Sequence, residues 1–134
     1  SYAWELAAAS TANPGTDFDS IVISGGALTL DGASQLTLNF ATGLDPDAGN
    51  PFWTTSSTWK IVDVTGGSNA GTDFSLITNP LWTTGSFTTY VGAGPDAGDV
   101  FLTFTAIPEP STLVTGGLAL LGLVGYGLRR RRTK

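Results

Sequence analysis

Closely spaced aspartates are the residues of this chain best suited to chemistry. They form three pairs, namely Asp17 and Asp19, Asp45 and Asp47, and Asp96 and Asp99. Paired carboxylates can act as acid and base on a glycosidic bond, or supply oxygen ligands to calcium. Each pair also lies close to glycine or proline, where aspartate ordinarily stabilises a turn. We therefore expect turn formation to be their main role, with the second and third pairs as weak calcium candidates.

The chain lacks the residues on which most catalytic sites depend, since it has no cysteine and no histidine. Thiol nucleophiles, disulfides and Cys–His zinc sites are thereby excluded, as are the usual general base and the Ser-His-Asp triad. The sequence also has no Gly-x-Ser-x-Gly elbow, phosphate-binding glycine loop or EF-hand pattern. It therefore predicts a protein that is not an enzyme and that has no cofactor, with Ca²⁺ as the alternative.

Four tryptophans suggest a different chemistry, because an exposed indole offers a flat apolar face to a sugar ring. Trp4 and Trp59 lie in alternating apolar and polar runs and are predicted to be core residues. Trp53 and Trp82 are each followed by two threonines and stand in or beside loops. These two are the candidates for carbohydrate binding, with core packing as the alternative.

Charge is divided unevenly along the chain. Residues 1–110 carry eleven acidic side chains and one basic side chain, Lys60, whereas residues 129–134 carry five basic ones and no acid. A strongly acidic region does not suit the phosphate backbone, so nucleic acid is excluded as a partner. It suits an exported protein that like charge keeps soluble.

The elements that position these residues are predicted to be strands, because apolar residues alternate with polar ones and no helical period appears before residue 108. The predicted strands are residues 2–6, 20–24, 28–30, 36–40, 59–64, 74–77, 87–91 and 100–107. Similar strings recur at Gly15–Phe18 and Gly71–Phe74, which indicates one turn type used twice or a decayed duplication. The fold class of residues 1–107 is therefore all-β.

The last 27 residues have a different composition. Pro108, Glu109 and Pro110 precede residues 111–128, which contain no charged side chain, and Arg129, Arg130, Arg131 and Arg132 follow, ahead of a short tail at 133–134. As a helix, residues 111–128 would extend roughly 27 Å, close to the ~30 Å of a hydrocarbon core. Four arginines resist translocation and act as a basic stop on the cytoplasmic side. One transmembrane helix is predicted, with residues 1–110 outside; a buried helix is the alternative.

This order of motif, apolar run and arginine block resembles the PEP-CTERM sorting signal of Gram-negative bacteria, over residues 108–132. The resemblance implies that exosortase, a membrane protease, cuts near Pro108, Glu109 and Pro110. It implies a protein anchored in the inner membrane before processing and then located at the cell surface or outside the cell. It also implies a link with exopolysaccharide and biofilm.

Residues 1–107 resemble the C-terminal unit of autotransporter-like β-helix proteins. The resemblance is carried by Tyr2–Glu5, Gly15–Asp19, Leu28–Leu30, Trp59–Val62 and Val100–Phe104. It implies a β-helix-like end unit, whereas the length of the region by itself favours a β-sandwich. Both architectures stay open at this stage.

The function predicted from these observations is that of a structural protein of the cell surface or extracellular matrix. The expected partners are exosortase, the membrane, an exopolysaccharide and further copies of the chain. A carbohydrate-binding module is the alternative. Because the chain does not begin with methionine, we expect either that an export signal has been removed or that it is the C-terminal part of a longer protein.

Overall fold

Residues 1–108 are described by a computed structural model, and they form strands and turns almost throughout. The strands are β1 (Tyr2–Leu6), β2 (Ile21–Ile23), β3 (Ala27–Leu28), β4 (Gln35–Phe40), β5 (Ser57–Val64), β6 (Ser68–Asn69), β7 (Leu76–Thr78), β8 (Leu81–Trp82), β9 (Gly85–Val91) and β10 (Val100–Ala106). Two 3-10 helices, Pro51–Thr54 and Gly94–Asp96, lie in the loops before β5 and β10. The all-β prediction is confirmed for this region, although the two-residue strands β6 and β8 were not predicted.

The first half of the domain is built from parallel strand pairs. β1 pairs with β4, β2 with β5 and β3 with β6, in each case in parallel. The chain therefore contributes one strand to each of three sheets in turn, with β1, β2 and β3. It then adds a second strand to each sheet in the same order, with β4, β5 and β6. β7 starts a third pass by pairing in parallel with β4.

The second half of the domain replaces this pattern with antiparallel pairing. β10 lies between β5 and β9 and is antiparallel to both, while β8 pairs with the outer edge of β9. One five-stranded sheet thus has the order β2-β5-β10-β9-β8. The β-sandwich alternative is wrong for residues 1–108, because a sandwich of that kind consists of two antiparallel sheets, and here one three-stranded sheet is parallel throughout.

Aromatic side chains fill the space that the sheets enclose. Trp4 and Trp59 are fully buried, as predicted, and their rings meet edge to face at a centroid distance of 5.5 Å. Each indole N–H has a carbonyl partner, Asp19 for Trp4 and Ser10 for Trp59. The indoles therefore contribute large apolar surfaces without leaving a buried donor unpaired.

No helix within residues 1–108 is long and apolar enough to cross a bilayer. The transmembrane helix predicted at 111–128 lies outside the described residues, as do Glu109, Pro110 and the arginine block at 129–132.

Candidate functional site

The Pro-Glu-Pro motif begins two residues after the end of β10. Ala106 pairs with Gly85 of β9, and the N–H of Ile107 donates to the carbonyl of Thr84 at 2.8 Å. Pro108, the first motif residue, follows directly and is exposed. The motif therefore begins immediately after the last backbone hydrogen bond of the sheet.

Two further hydrogen bonds and one close approach hold this end of the sheet in place. The N–H of Ala106 donates to the hydroxyl of Ser56 at 3.1 Å, so that the loop before β5 is tied to β10. On the other side, the hydroxyl of Thr84 donates to the carbonyl of Pro46 at 3.0 Å. Within the sheet, Gly85 leaves room for the ring of Phe104, which a Cβ at that position would strike. The exit point of the tail is thus well supported by its surroundings.

Trp53 does not have the exposed face that sugar stacking requires. Its side chain is 2% exposed, and its ring packs against Phe104 at a centroid distance of 4.7 Å. The indole N–H donates to the carbonyl of Leu44 at 2.9 Å, which satisfies its only polar atom. The carbohydrate-binding prediction is therefore wrong for Trp53, which is a core residue.

Trp82 lies at the edge of the sheet and is half-buried. Its ring contacts Phe40 edge to face at 5.6 Å, and its indole N–H is buried without a hydrogen-bond partner among the described residues. The neighbouring Leu81 points the other way and is 79% exposed. The apolar side chain that β8 offers to its surroundings is thus Leu81 rather than Trp82.

Three of the aspartates predicted to form turns accept hydrogen bonds, and only the one at Asp17 comes from a nearby residue in sequence. Asp17 accepts a hydrogen bond from the Asn13 amide, and Asp19 accepts one from the backbone N–H of Glu5. Asp47 accepts from the backbone N–H of Thr83 at 3.0 Å. These contacts engage the carboxylates in structural hydrogen bonds.

The calcium candidates are not brought together. Asp47 lies beside the β8–β9 turn, whereas Asp96 and Asp99 precede β10 at the opposite end of the sheet, about 20 Å away at ~3.3 Å per strand residue. For Asp45, the contact seen is that of its backbone carbonyl, which accepts from Ala48. Within residues 1–108, no three or more acidic side chains are arranged to hold a metal ion.

Lys60 supplies the positive charge beside Asp96 and Asp99. Its ammonium lies 2.6 Å from Asp99 Oδ2, 3.3 Å from Asp63 Oδ1 and 3.4 Å from Asp96 Oδ1. The hydrogen bond to Asp99 is the main reason why the pKa of Lys60 lies well above its usual value. The cluster is thus an ion-pair network with its own cation.

Sequence reasoning missed this role of Lys60, which it noted as the one basic side chain of residues 1–110. Lys60 pairs with Phe101 across β5 and β10, which places it beside the loop at residues 92–99. A signal was present, because Lys60 is the single basic side chain among ten acids in residues 1–108. The identity of its partners, however, depends on a strand pairing that joins distant parts of the chain.

An apolar cavity of about 150 Å³ lies beside the first three strands. Tyr2, Leu28 and Phe74 are among the side chains that line it. The Tyr2 hydroxyl is buried without a hydrogen-bond partner among the described residues, and burial raises its pKa to about 12. Nothing in the sequence pattern distinguished this tyrosine.

Comparison with known families matches residues 106–132 to the PEP-CTERM protein-sorting motif. No curated protein and no solved structure matches the chain. The resemblance of residues 1–107 to autotransporter-like β-helix proteins therefore has no support from these comparisons. The motif indicates exosortase-dependent sorting to the cell surface of a Gram-negative bacterium, by way of a membrane-anchored form.

Proposed function

We propose that this protein is a structural component of the extracellular matrix, released or transferred there after exosortase cuts near Pro108, Glu109 and Pro110. The observation that carries the proposal is the position of the sorting motif relative to the fold. The motif match begins at residue 106, where β10 ends, and Pro108 is exposed. Cleavage at the motif would leave every strand of the domain intact.

The residues after the motif supply the anchor in this proposal. The uncharged run at 111–128 spans the inner membrane, and Arg129, Arg130, Arg131 and Arg132 keep the end of the chain in the cytoplasm. The domain at 1–107 then stands outside the membrane until it is processed.

The architecture that we propose for residues 1–107 is a β-helix-like end unit. Its support is the repeated parallel pairing of β1 with β4, β2 with β5 and β3 with β6. The antiparallel strands β8, β9 and β10 then serve as a cap, because they end the stacking of parallel passes on one side. A stacked and capped domain of this kind is consistent with a structural role in the matrix.

We further propose that the domain has no catalytic activity. The carboxylates of Asp19 and Asp47 accept backbone hydrogen bonds, and those of Asp96 and Asp99 are paired with Lys60. Contact with exopolysaccharide, a role in biofilm and self-assembly belong to the same proposal. Their support is the sorting motif at residues 106–132, which directs the protein to the cell surface.

The sorting step is tested by intact mass. The full chain with an export signal is produced in a Gram-negative host with an active exosortase, and in the same host without it. We expect a mass that ends near residues 108–110 in the first host, and one that includes residues 129–134 in the second. Replacing Pro108 and Pro110 with alanine should prevent processing, whereas Pro95→Ala, at an exposed loop proline, should not. Equal masses in both hosts would contradict exosortase processing.

The matrix role is tested separately, in the producing cell. Deletion of the gene for this protein should weaken the matrix or the biofilm of the producing cells. The purified protein should assemble with further copies of itself and should show no saturable binding of the cell's exopolysaccharide. Saturable binding that Trp82→Ala abolishes would instead support the carbohydrate-binding alternative. Cleavage of that polymer by the purified protein would contradict the proposal that the domain is not an enzyme.

A further inference from the structure

We infer that one end of the five-stranded sheet rests on the lipid surface while the protein is still anchored, and that Leu81 and Ile107 are the side chains that enter the lipid headgroups. The inference rests on the proposed membrane span at 111–128. We call this surface the β8–β10 end: Leu81 and the outer-face residues around it, together with Ile107, where the tail leaves the domain.

The length of chain after the domain forces this end towards the bilayer. Four peptide units separate Ile107 from Ser111, where the uncharged run begins, and they extend about 14 Å at most. The headgroup layer on one side of a bilayer is itself about 6 Å thick. The end of β10 therefore lies within about 8 Å of the headgroups even if the linker is fully stretched.

The side chains at this end are suited to contact with lipid. Ile107 is 60% exposed and Leu81 is 79% exposed. Leu81 pairs with Ser86, and Ser86 pairs with Thr105 on the next strand. Because directly paired residues point to the same face of a sheet, Leu81 lies on the outer face, opposite the buried Phe87.

The outer face at this end also carries no charge along its strands. The register places five uncharged polar residues there, namely Thr58, Ser86, Thr88, Thr103 and Thr105. Asp47, which binds Thr83, is the acid beside the turn. The Lys60 network lies at the far end, because Lys60 pairs with Phe101, about 20 Å along the strand from Ile107. The domain thus approaches the membrane with the end whose outer sheet face is uncharged, and keeps the three aspartates of the Lys60 network away from anionic headgroups.

A fluorescent probe at Leu81 tests the inference, and the absence of cysteine from the chain makes single-site labelling straightforward. The full chain with Leu81→Cys is labelled with an environment-sensitive dye and reconstituted into phosphatidylcholine vesicles that contain spin-labelled phosphatidylcholine. Val22→Cys is the matched control, because Val22 is 60% exposed but lies on β2, near the far end of the sheet. Ile107→Cys is a second probe, in case the change at Leu81 disturbs β8.

We expect several-fold stronger quenching at positions 81 and 107 than at position 22. Equal quenching at positions 81 and 22, or none at 81 and 107 in protein that floats with the vesicles, would overturn the inference and leave the anchor proposal intact. If the full chain does not float with the vesicles, the anchor proposal fails and the inference fails with it.

Discussion

Replacing Lys60 with methionine tests the ion-pair network that ties the loop at 92–99 to β5. The ammonium lies 2.6 Å from Asp99 Oδ2, and the Asp99 side chain is only 5% exposed. The other oxygen of Asp99, Oδ1, accepts the backbone N–H of Val64 at 2.7 Å. Methionine keeps most of the volume of lysine but removes the charge, so that Asp99 keeps its hydrogen bond from Val64 and loses its cation.

The size of the effect follows from how deeply each partner is buried. Breaking a buried ion pair from one side costs about 3–5 kcal/mol, whereas an exposed pair contributes about 0–1 kcal/mol. Asp99 is buried, but the Lys60 side chain is 36% exposed, so solvent screens part of the interaction. We expect Lys60→Met to lower the free energy of unfolding by about 2 kcal/mol, and the melting temperature by roughly 10 °C for a domain of this size.

Denaturant unfolding followed by tryptophan fluorescence measures this change. Lys60→Arg retains the charge, so its free energy of unfolding should fall far less than that of Lys60→Met. Asp99→Asn keeps the oxygen that accepts from Val64 but needs no cation, so Lys60→Met in that background should cost much less than in the wild type. If the two substitutions are additive, Lys60 and Asp99 are not coupled and the reasoning fails.

The same network predicts a loss of stability at alkaline pH. Because the pKa of Lys60 is higher in the folded chain than in the unfolded one, the folded state binds the proton more tightly. The stabilisation is therefore complete below about pH 10 and decreases as the pH rises above it. Lys60→Met should lack this component of the pH profile; an unchanged alkaline slope would contradict the assignment.

Three further substitutions test the packing. Gly85→Ala should destabilise the fold by about 1–3 kcal/mol, because its Cβ would strike the Phe104 ring, whereas Gly32→Ala, with open space around it, should be nearly neutral in the same unfolding assay. Tyr2→Phe should leave stability unchanged or raise it by about 1 kcal/mol, since the buried hydroxyl has no partner among the described residues. The absorbance titration of Tyr2→Phe should also lack the tyrosine ionisation near pH 12 that the wild type shows. If that ionisation persists in Tyr2→Phe, it does not belong to Tyr2. Trp53→Ala should cost about 3–5 kcal/mol in denaturant unfolding, and a loss below 1 kcal/mol would show that Trp53 is not a core residue.

Most strands could be predicted because their pattern is local. Alternation at Leu36–Phe40 predicted β4, and the structure places that strand at Gln35–Phe40. The strands β6 and β8, with two residues each, are too short to show a period. The recurring turn string is also local, and Gly15 and Gly71 both adopt a positive φ, of 78° and 79°.

The candidate site was less predictable, because exposure depends on the whole fold. Trp53 and Trp82 stand before identical Thr-Thr pairs, yet the first is in the core and the second is at a sheet edge. The difference arises because the loop before β5 packs on the buried face of the sheet. It places Trp53 against Phe104, which is about fifty residues away in sequence. No local pattern contains that contact.

The sequence by itself determined the all-β class, the recurring turn at Gly15 and Gly71, and the sorting signal at residues 108–132, because each depends on neighbouring residues. Only the tertiary structure decided which strands pair in parallel, which of Trp53 and Trp82 is buried, and which carboxylates surround Lys60. Those features depend on strand register between distant segments, and a shift of one residue turns every side chain of a strand to the other face. The same register places Leu81 on the outer face of the sheet, beside the point where the tail leaves the domain.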